Sequence, residues 1–333
     1  MVSFDELSDE KRIALFKKLA RTALRRYGIE TADLSHRTYS ENVIFEVRPA
    51  DGGRYALRVC RPNTDPTDLE REITWLHALA RDTELRTPAP VMTTGGDPFT
   101  RAQIGGIPEL RYCALFTWVS GDYARGDDLT SRRLDKVGEF LARLHAHAET
   151  YRLPERLASP RQNADALSAM DVSEPLAAYF PDRRDIVAFE DALATTASVM
   201  RELGEGSDVA GIIHGDFHQR NYLFDGEEVG AIDFETMWWG YYLYDLATTL
   251  SYLVPDFLGD RDPQPLRRAV VRSYERHRGL PADASRYLRV FEAYRLWIMA
   301  DWVAGSPRML EHDWARGRLD RTPQQIRALL NAL

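Results

Sequence analysis

The sequence predicts an α+β fold, with a small antiparallel sheet early in the chain and a larger helical part after it. Between Leu34 and Arg61 the apolar residues recur with period two, through Val43, Phe45 and Val47 and then Tyr55, Leu57 and Val59, as strands require. From Leu134 the period becomes helical, through Val137, Leu141, Leu144 and Ala148, and again through Ile186, Phe189, Leu193 and Met200. One later stretch interrupts the helices: His214-Gly215-Asp216-Phe217-His218-Gln219-Arg220-Asn221, closing on Ile232-Asp233-Phe234.

The chain of 333 residues is long enough for two lobes. Its 44% hydrophobic and 28% charged content is that of an ordinary globular protein. A net charge of -8 does not favour non-specific nucleic-acid binding. Cys60 and Cys113 have no metal spacing and make no disulfide framework, in keeping with a reducing cytosol. The acidic start, Met-Val-Ser-Phe-Asp-Glu, is no signal peptide, and no apolar run approaches the ~18 residues of a membrane span. The expectation is a cytoplasmic protein with no membrane partner.

In chain order, Ser8 caps a leading helix over 8–27 that carries Ile13, Phe16, Ala20 and Leu24 on one face and ends near Gly28. Three antiparallel strands follow, the second and third joined by the turn Pro49-Ala50-Asp51-Gly52-Gly53. Ala56 and Arg58 share a face of the third strand. Thr67 to Ala80 is helical, with Leu69, Ile73, Leu76 and Ala80 aligned. Tyr112 to Val119 is an apolar strand. Residues 151 to 183 are poorly patterned. Ile212 and Ile213 form a buried strand leading to the His214 loop, and Tyr222-Leu223-Phe224 and Val229 to Ile232 flank the turn pair Asp225-Gly226. Such a hairpin brings Asn221 beside Asp233, with Asp216 in the loop before it. Further helices lie around Val270, Phe291 to Trp302, and Gln324 to Leu333.

That group of side chains suits phosphoryl transfer, which needs a metal on the phosphates and a carboxylate to orient the attacking hydroxyl. Mg²⁺ takes hard oxygen ligands, which Asn221 and Asp233 supply, and Asp216 accepts the proton. Alternatively, His214, Asp216 and His218 are the metal ligands of a hydrolase, which leaves Asn221 and Asp233 without a task.

The spacing His-x-Asp-x-x-x-x-Asn followed by Asp-Phe resembles the catalytic and metal loops of protein kinases. With Gly215 it resembles the aminoglycoside phosphotransferase and choline kinase superfamily, as do Leu141-Ala142-Arg143-Leu144-His145 and the run from Ile232 through Gly240 to Asp245-Leu246-Ala247. The branch most resembled is that of homoserine kinase and stress-response kinase A (RdoA-like). The likeness implies a bilobal protein-kinase-like fold, with a nucleotide-binding lobe over 1–116 and a catalytic, acceptor-binding helical lobe over 117–333. It implies ATP and Mg²⁺ as cofactors, Asp216 as catalytic aspartate, His218 beside the moving phosphoryl, and Asn221 and Asp233 as metal ligands.

By the same resemblance, Tyr55-Ala56-Leu57-Arg58 stands for Val-Ala-Ile-Lys, with Arg58 in place of the lysine that meets the phosphates. The chain has four lysines against 39 arginines, and none between Lys18 and Lys136. A cation from this stretch is therefore an arginine, either at the phosphates or solvated on its strand, and the two side chains are not interchangeable. Glu72 is its implied partner, with Glu70 as competitor. No glycine-rich loop is present. Ser40 and Asn42 stand there, as phosphate donors or as an ordinary turn. Thr117, Trp118 and Val119 are the implied hinge, whose backbone holds the adenine edge; a core strand reaching a turn reads the same.

Asp245 is expected to brace the loop, and His145 to be a buried, hydrogen-bonded core histidine. Glu235 supports the metal from behind or is solvated. Trp238, Trp239, Tyr241 and Tyr242 form a cation cage or lobe core. The implied function is ATP-dependent transfer to a hydroxyl of a small molecule: an amino-alcohol, an amino acid or an aminoglycoside-like compound. The alternatives are an RdoA-like serine/threonine protein kinase and a nucleotide-binding module without transfer activity. Only ten residues separate Phe234 from Asp245 and no Ala-Pro-Glu follows, so the activation segment of protein kinases is missing.

Overall fold

The computed structural model describes residues 4–50 and 52–333. Asp51 of the expected turn and the first three residues of the acidic start lie outside these. The chain divides into two compact units. The first holds the chain up to Ser120 together with 153–158 and 230–235, and the second holds 121–152, 159–229 and 236–333.

The first unit begins with α1 (Asp9–Leu24). Ser8 takes the extended N-cap conformation but its side chain makes no cap bond. Asp9 and Glu10 in the first turn still complement the helix dipole. The sheet has six antiparallel strands: β1 (Ala32–Tyr39), β2 (Val43–Pro49), β3 (Tyr55–Val59), β4 (Pro90–Val91), β5 (Thr100–Ala102) and β6 (Arg111–Thr117). Their order is β1-β2-β3-β6-β4, with β5 also on β6.

The period-two residues explain the layering. Val43, Phe45, Val47, Leu57 and Val59 form one core with Phe16, Leu19, Ala20 and Ala23 of α1. Their strand neighbours occupy the opposite face, where Ile44 lies opposite Arg58 and Glu46 opposite Ala56. α2 (Pro66–Asp82) follows. Its cap is Asp65, whose carboxylate accepts the Thr67 N–H at 2.7 Å.

The second unit is mainly helical, with α3 (Ser131–Thr150), α4 (Ala164–Ser168), α5 (Glu174–Tyr179) and α6 (Arg183–Leu203) ahead of the His214 loop. The expected irregular stretch thus contains two helices, capped by Asn163 and Ser173. Each is under two turns, too short for a helical period to show. β7 (Ala210–Ile213) enters the loop, and β8 (Tyr222–Asp225) and β9 (Glu228–Ala231) make the hairpin after it. β10 (Trp238–Tyr241) then pairs antiparallel with β7.

The remaining helices are α7 (Tyr242–Ser251), α8 (Pro255–Leu258), α9 (Gln264–Arg278), α10 (Ala284–Ala304), α11 (Pro307–Leu310) and α12 (Asp313–Leu330). α3 packs closely on α9. Gly138 permits it, since a Cβ there would stand 2.3 Å from the Val270 carbonyl oxygen. Among the described residues no helix is long and apolar enough to cross a membrane.

Candidate active site

The loop after β7 is held from below by one buried carboxylate. Asp245, on α7, accepts the main-chain N–H of His214 and of Gly215, each at 2.8 Å. His145 lies 3.2 Å from the same carboxylate through Nε2, and its Nδ1 is 2.9 Å from the Tyr274 hydroxyl. All of His145, His214 and Asp245 are fully buried. Thr249 adds a bond to the Phe217 carbonyl at 2.8 Å.

Gly215 has φ +82, and a Cβ there would meet the Thr236 carbonyl at 2.3 Å, so this turn excludes other residues. Asp245 thus acts on the backbone, the bracing role expected of it. Asp245→Asn puts an amide N–H against loop N–H groups. It should cost several kcal/mol of stability, as expected for a broken buried network, and most of the activity. Urea unfolding and a rate assay on one preparation check both.

Burial holds the His145 pKa below its ordinary 6.5, although its bond to Asp245 opposes the shift. Because the folded state resists this proton, the unfolded chain binds more protons at low pH. The contribution is therefore present above about pH 6.5 and lost as pH falls below it. A melting-temperature series from pH 8 to pH 5 should fall toward acid, and His145→Gln should flatten that slope.

On this platform three expected site residues meet. Asp216 Oδ2 is 3.3 Å from His218 Nε2 and 3.0 Å from Asn221 Nδ2, and the Asn221 amide also donates to the Asp216 carbonyl at 2.9 Å. His218 Nδ1 accepts the Arg220 N–H at 3.1 Å, which leaves Nε2–H to face Asp216 in the neutral ring. Burial lowers the His218 pKa, against the pull of Asp216. Burial would raise the Asp216 carboxyl, but the His218 bond and the nearby Arg295 outweigh it and hold the group well below the usual carboxylate range.

Arg295 is the residue the sequence reading missed. It sits on α10, 5% exposed, and its guanidinium pairs with Asp216 Oδ1 and reaches the Tyr244 hydroxyl at 3.3 Å. Its Nε is buried with no hydrogen-bond partner among the described residues. The one available signal was an arginine inside a largely apolar helix, and no local pattern connects it to a loop 79 residues away.

His214 and His218 both use Nδ1 to accept loop N–H groups. No cluster of three His, Cys, Asp or Glu side chains suited to a metal occurs among the described residues. The hydrolase arrangement finds no support here. Both Asn221 contacts use its NH₂, so neither occupies the amide oxygen. Asp233 belongs to the first unit and has φ +68, a conformation uncommon outside glycine and concentrated at functional sites.

Within the first unit, Arg58 and Glu72 form a buried pair, with Nη1 to Oε1 at 3.0 Å and a second, shorter contact between Nη2 and Oε2. Glu70 instead pairs with Arg156 at 2.6 and 2.9 Å. Burial opposes the Arg58 charge, but Glu72 outweighs it and raises the pKa. Arg58 Nε is left buried and without a partner among the described residues. Glu235 is not simply solvated. It accepts the Asn42 amide at 2.5 Å and lies 3.8 Å from both Arg58 and Arg61.

The other end of the Asn42 amide accepts the Arg61 N–H at 2.9 Å, so that side chain is occupied at both ends. The Ser40 N–H bonds the Asn42 carbonyl at 3.3 Å. Thr117 N–H donates to Ala89 and Trp118 N–H to Arg54, at 2.8 and 3.0 Å. Of the three hinge amides, that of Val119 has no carbonyl partner among the described residues. The Trp118 ring lies under Arg54, 4.3 Å from its centroid.

The four aromatics near β10 do not gather into a cage. Tyr241 and Tyr242 are buried and bond the carbonyls of Met200 and Ser207. Trp239 is covered by Arg161, and Trp238 packs on Tyr244.

An antiparallel-sheet unit, a helical unit and a braced His-x-Asp loop define a phosphotransferase with a kinase-like fold. The chain belongs to the APH phosphotransferase enzyme family, whose model matches residues 39–287. It is 23% identical over 248 residues to amicoumacin kinase of Bacillus subtilis, covering 74% of this chain and 70% of that one. It is 31% identical over 204 residues to homoserine kinase of Beijerinckia indica, covering 60% of this chain and 57% of that one.

Among solved structures it resembles an amicoumacin kinase in complex with AMP-PNP, Ca²⁺ and its antibiotic, with TM-score 0.73, 16% identity and 96% and 93% of the two chains covered. A microcompartment-associated aminopropanol kinase matches with TM-score 0.73, 22% identity and 94% and 95% covered. An aminoglycoside phosphotransferase bound to ADP and hygromycin B matches with TM-score 0.61, 16% identity and 91% and 96% covered.

Proposed function

We propose that this chain transfers the γ-phosphoryl group of ATP to a hydroxyl of a small molecule. One observation carries the reading: an ionised carboxylate, Asp216, is held against the amide of Asn221 at 3.0 Å on a braced loop. An ionised Asp216 accepts a hydrogen bond from the entering hydroxyl and aims its lone pair. Its lowered pKa makes it a weak base, so it orients the alcohol and takes the proton only as the new P–O bond forms. His218, stacked on Tyr252 at 4.1 Å and 3.3 Å from Asp216, keeps the carboxylate from turning and, by the family resemblance, would meet the transferred group.

Asn221 and Asp233 would supply oxygen donors to Mg²⁺, which would offset the charge of the phosphates. Arg58, fixed by Glu72, is the cation for the phosphates in place of lysine. Ser40 and Asn42 shape the turn above them, Asn42 through Glu235 rather than by a free amide. Thr117, Trp118 and Val119 meet the adenine edge, with the Val119 N–H as donor. A small acceptor is supported by the relatives, which are named as kinases of amicoumacin, homoserine and aminopropanol.

A panel of amino-alcohols, amino acids, aminoglycosides and casein-like proteins, read by ADP release and by labelled product, tests this. Label on protein alone would overturn it. Chelation should abolish transfer and Mg²⁺ restore it. Asp233→Asn should raise the metal concentration for half-maximal rate by about tenfold or more, as loss of a carboxylate ligand implies.

A further inference from the structure

Tyr252, just after α7, has one histidine and two arginines around its ring. Its ring stacks on His218. The Arg295 guanidinium carbon is 5.9 Å from its centroid, and that of Arg318, from α12, is 5.2 Å. Arg318 also lies over Phe257 at 5.4 Å.

The two arginines differ in their partners. Arg295 is neutralised by Asp216. Arg318 pairs with no carboxylate among the described residues, although its helix neighbours Arg316 and Arg327 pair with Asp313 and Asp185. It is half-buried, held by two ring faces rather than by an acid. Arg295 thus has an acid partner, whereas Arg318 brings a guanidinium without one to the ring that stacks on His218. An arginine placed over rings keeps its N–H edge for a planar anion, and a carboxylate matches that edge with two parallel bonds.

We infer that the acceptor is an alcohol that also carries a carboxylate, a hydroxy acid or hydroxy amino acid, and that Arg318 grips that carboxylate. This rests on the phosphotransfer reading above and narrows it: a polycationic antibiotic or a plain amino-alcohol would face the wrong charge.

The test uses matched acceptors that differ only in the acid group: L-homoserine against 3-aminopropan-1-ol, and 4-hydroxybutanoate against propan-1-ol. ADP release is measured with wild type, Arg318→Gln and Arg318→Lys, each confirmed folded by circular dichroism. The acid member of each pair should be preferred. Arg318→Gln should raise its KM about ten- to hundredfold, the range of a lost charge-assisted pair, with kcat within about twofold and the acid-free partner unaffected. Arg318→Lys should recover part of the loss.

Preference for the acid-free members, or equal losses for both, would overturn the inference. Calorimetric titration of the same compounds into the AMP-PNP complex separates the two readings. Binding of a hydroxy acid that depends on Arg318, without ADP release, would remove the phosphotransfer reading and with it the acceptor role, leaving Arg318 as a carboxylate-binding residue only. Failure of every hydroxy acid to bind more tightly than its partner would remove the inference.

Discussion

Asp216→Asn should reduce kcat by about 10²–10⁴, the usual scale for a lost general base, with little change in nucleotide affinity. The substitution keeps the shape of the side chain and its contact with Asn221, but removes the only charge that faces Arg295 among the described ion pairs. Arg295 is 5% exposed, so it cannot turn to water for compensation. Stability should therefore fall together with rate, by up to about 3–5 kcal/mol, the cost of breaking a buried pair from one side. Adding Arg295→Met removes the stranded charge and should recover most of that stability while leaving kcat at the single-mutant level. A double-mutant cycle read in urea and in ADP release separates the two effects. Normal turnover in Asp216→Asn would end the assignment of this loop as the site.

The second large effect is expected at Arg58 and Glu72. Their side chains are 8% and 4% exposed, so Glu72→Gln strands a guanidinium in a low-dielectric sheet face and should cost about 3–5 kcal/mol. The paired change Arg58→Met with Glu72→Leu removes both charges and should fold nearly as well as the wild type. AMP-PNP affinity should nevertheless drop about ten- to hundredfold in the pair, since no lysine from that stretch can replace the lost cation. Arg58→Lys retains charge but not the two parallel bonds to Glu72, and should give intermediate affinity with lower stability. Fluorescence titration of a nucleotide analogue against melting temperature for all three variants makes the comparison. Unchanged nucleotide affinity in the Met/Leu pair would show that Arg58 only packs.

The parts of the site legible in the sequence share one property: they are encoded within a few residues. Period two across Val43 to Val59 selects the core face, and therefore also places Ala56 and Arg58 together on the other one. The loop from His214 to Asn221 is contiguous, so Asp216, His218 and Asn221 lie close in sequence as well as in contact. Glu72 was preferred to Glu70 by the family resemblance, and it is Glu72 that pairs with Arg58 while Glu70 pairs with Arg156.

Where readings missed, the outcome depended on competition between distant partners. Asn42 looked available for phosphate, yet Glu235, 193 residues away, takes its amide. Ser8 has the cap residue type and the cap backbone, but not the side-chain bond. The four aromatics after Thr236 looked alike in sequence, yet Tyr241 and Tyr242 are buried while Trp238 and Trp239 are half-buried.

What the sequence determined by itself was therefore the strand and helix periods, the strand face that carries Arg58, and the chemistry of the His214–Asn221 loop. Each is set by bonds and sterics acting over a turn or a strand pair. Only the tertiary structure decided that α10 supplies Arg295 to Asp216, that α12 supplies Arg318 to Tyr252, and that Asp245 lies under the loop. A guanidinium on a helix carries no local mark of its partner. Which carboxylate or ring it meets is settled by the packing of whole helices, and that packing is driven by apolar area rather than by the charges it brings together.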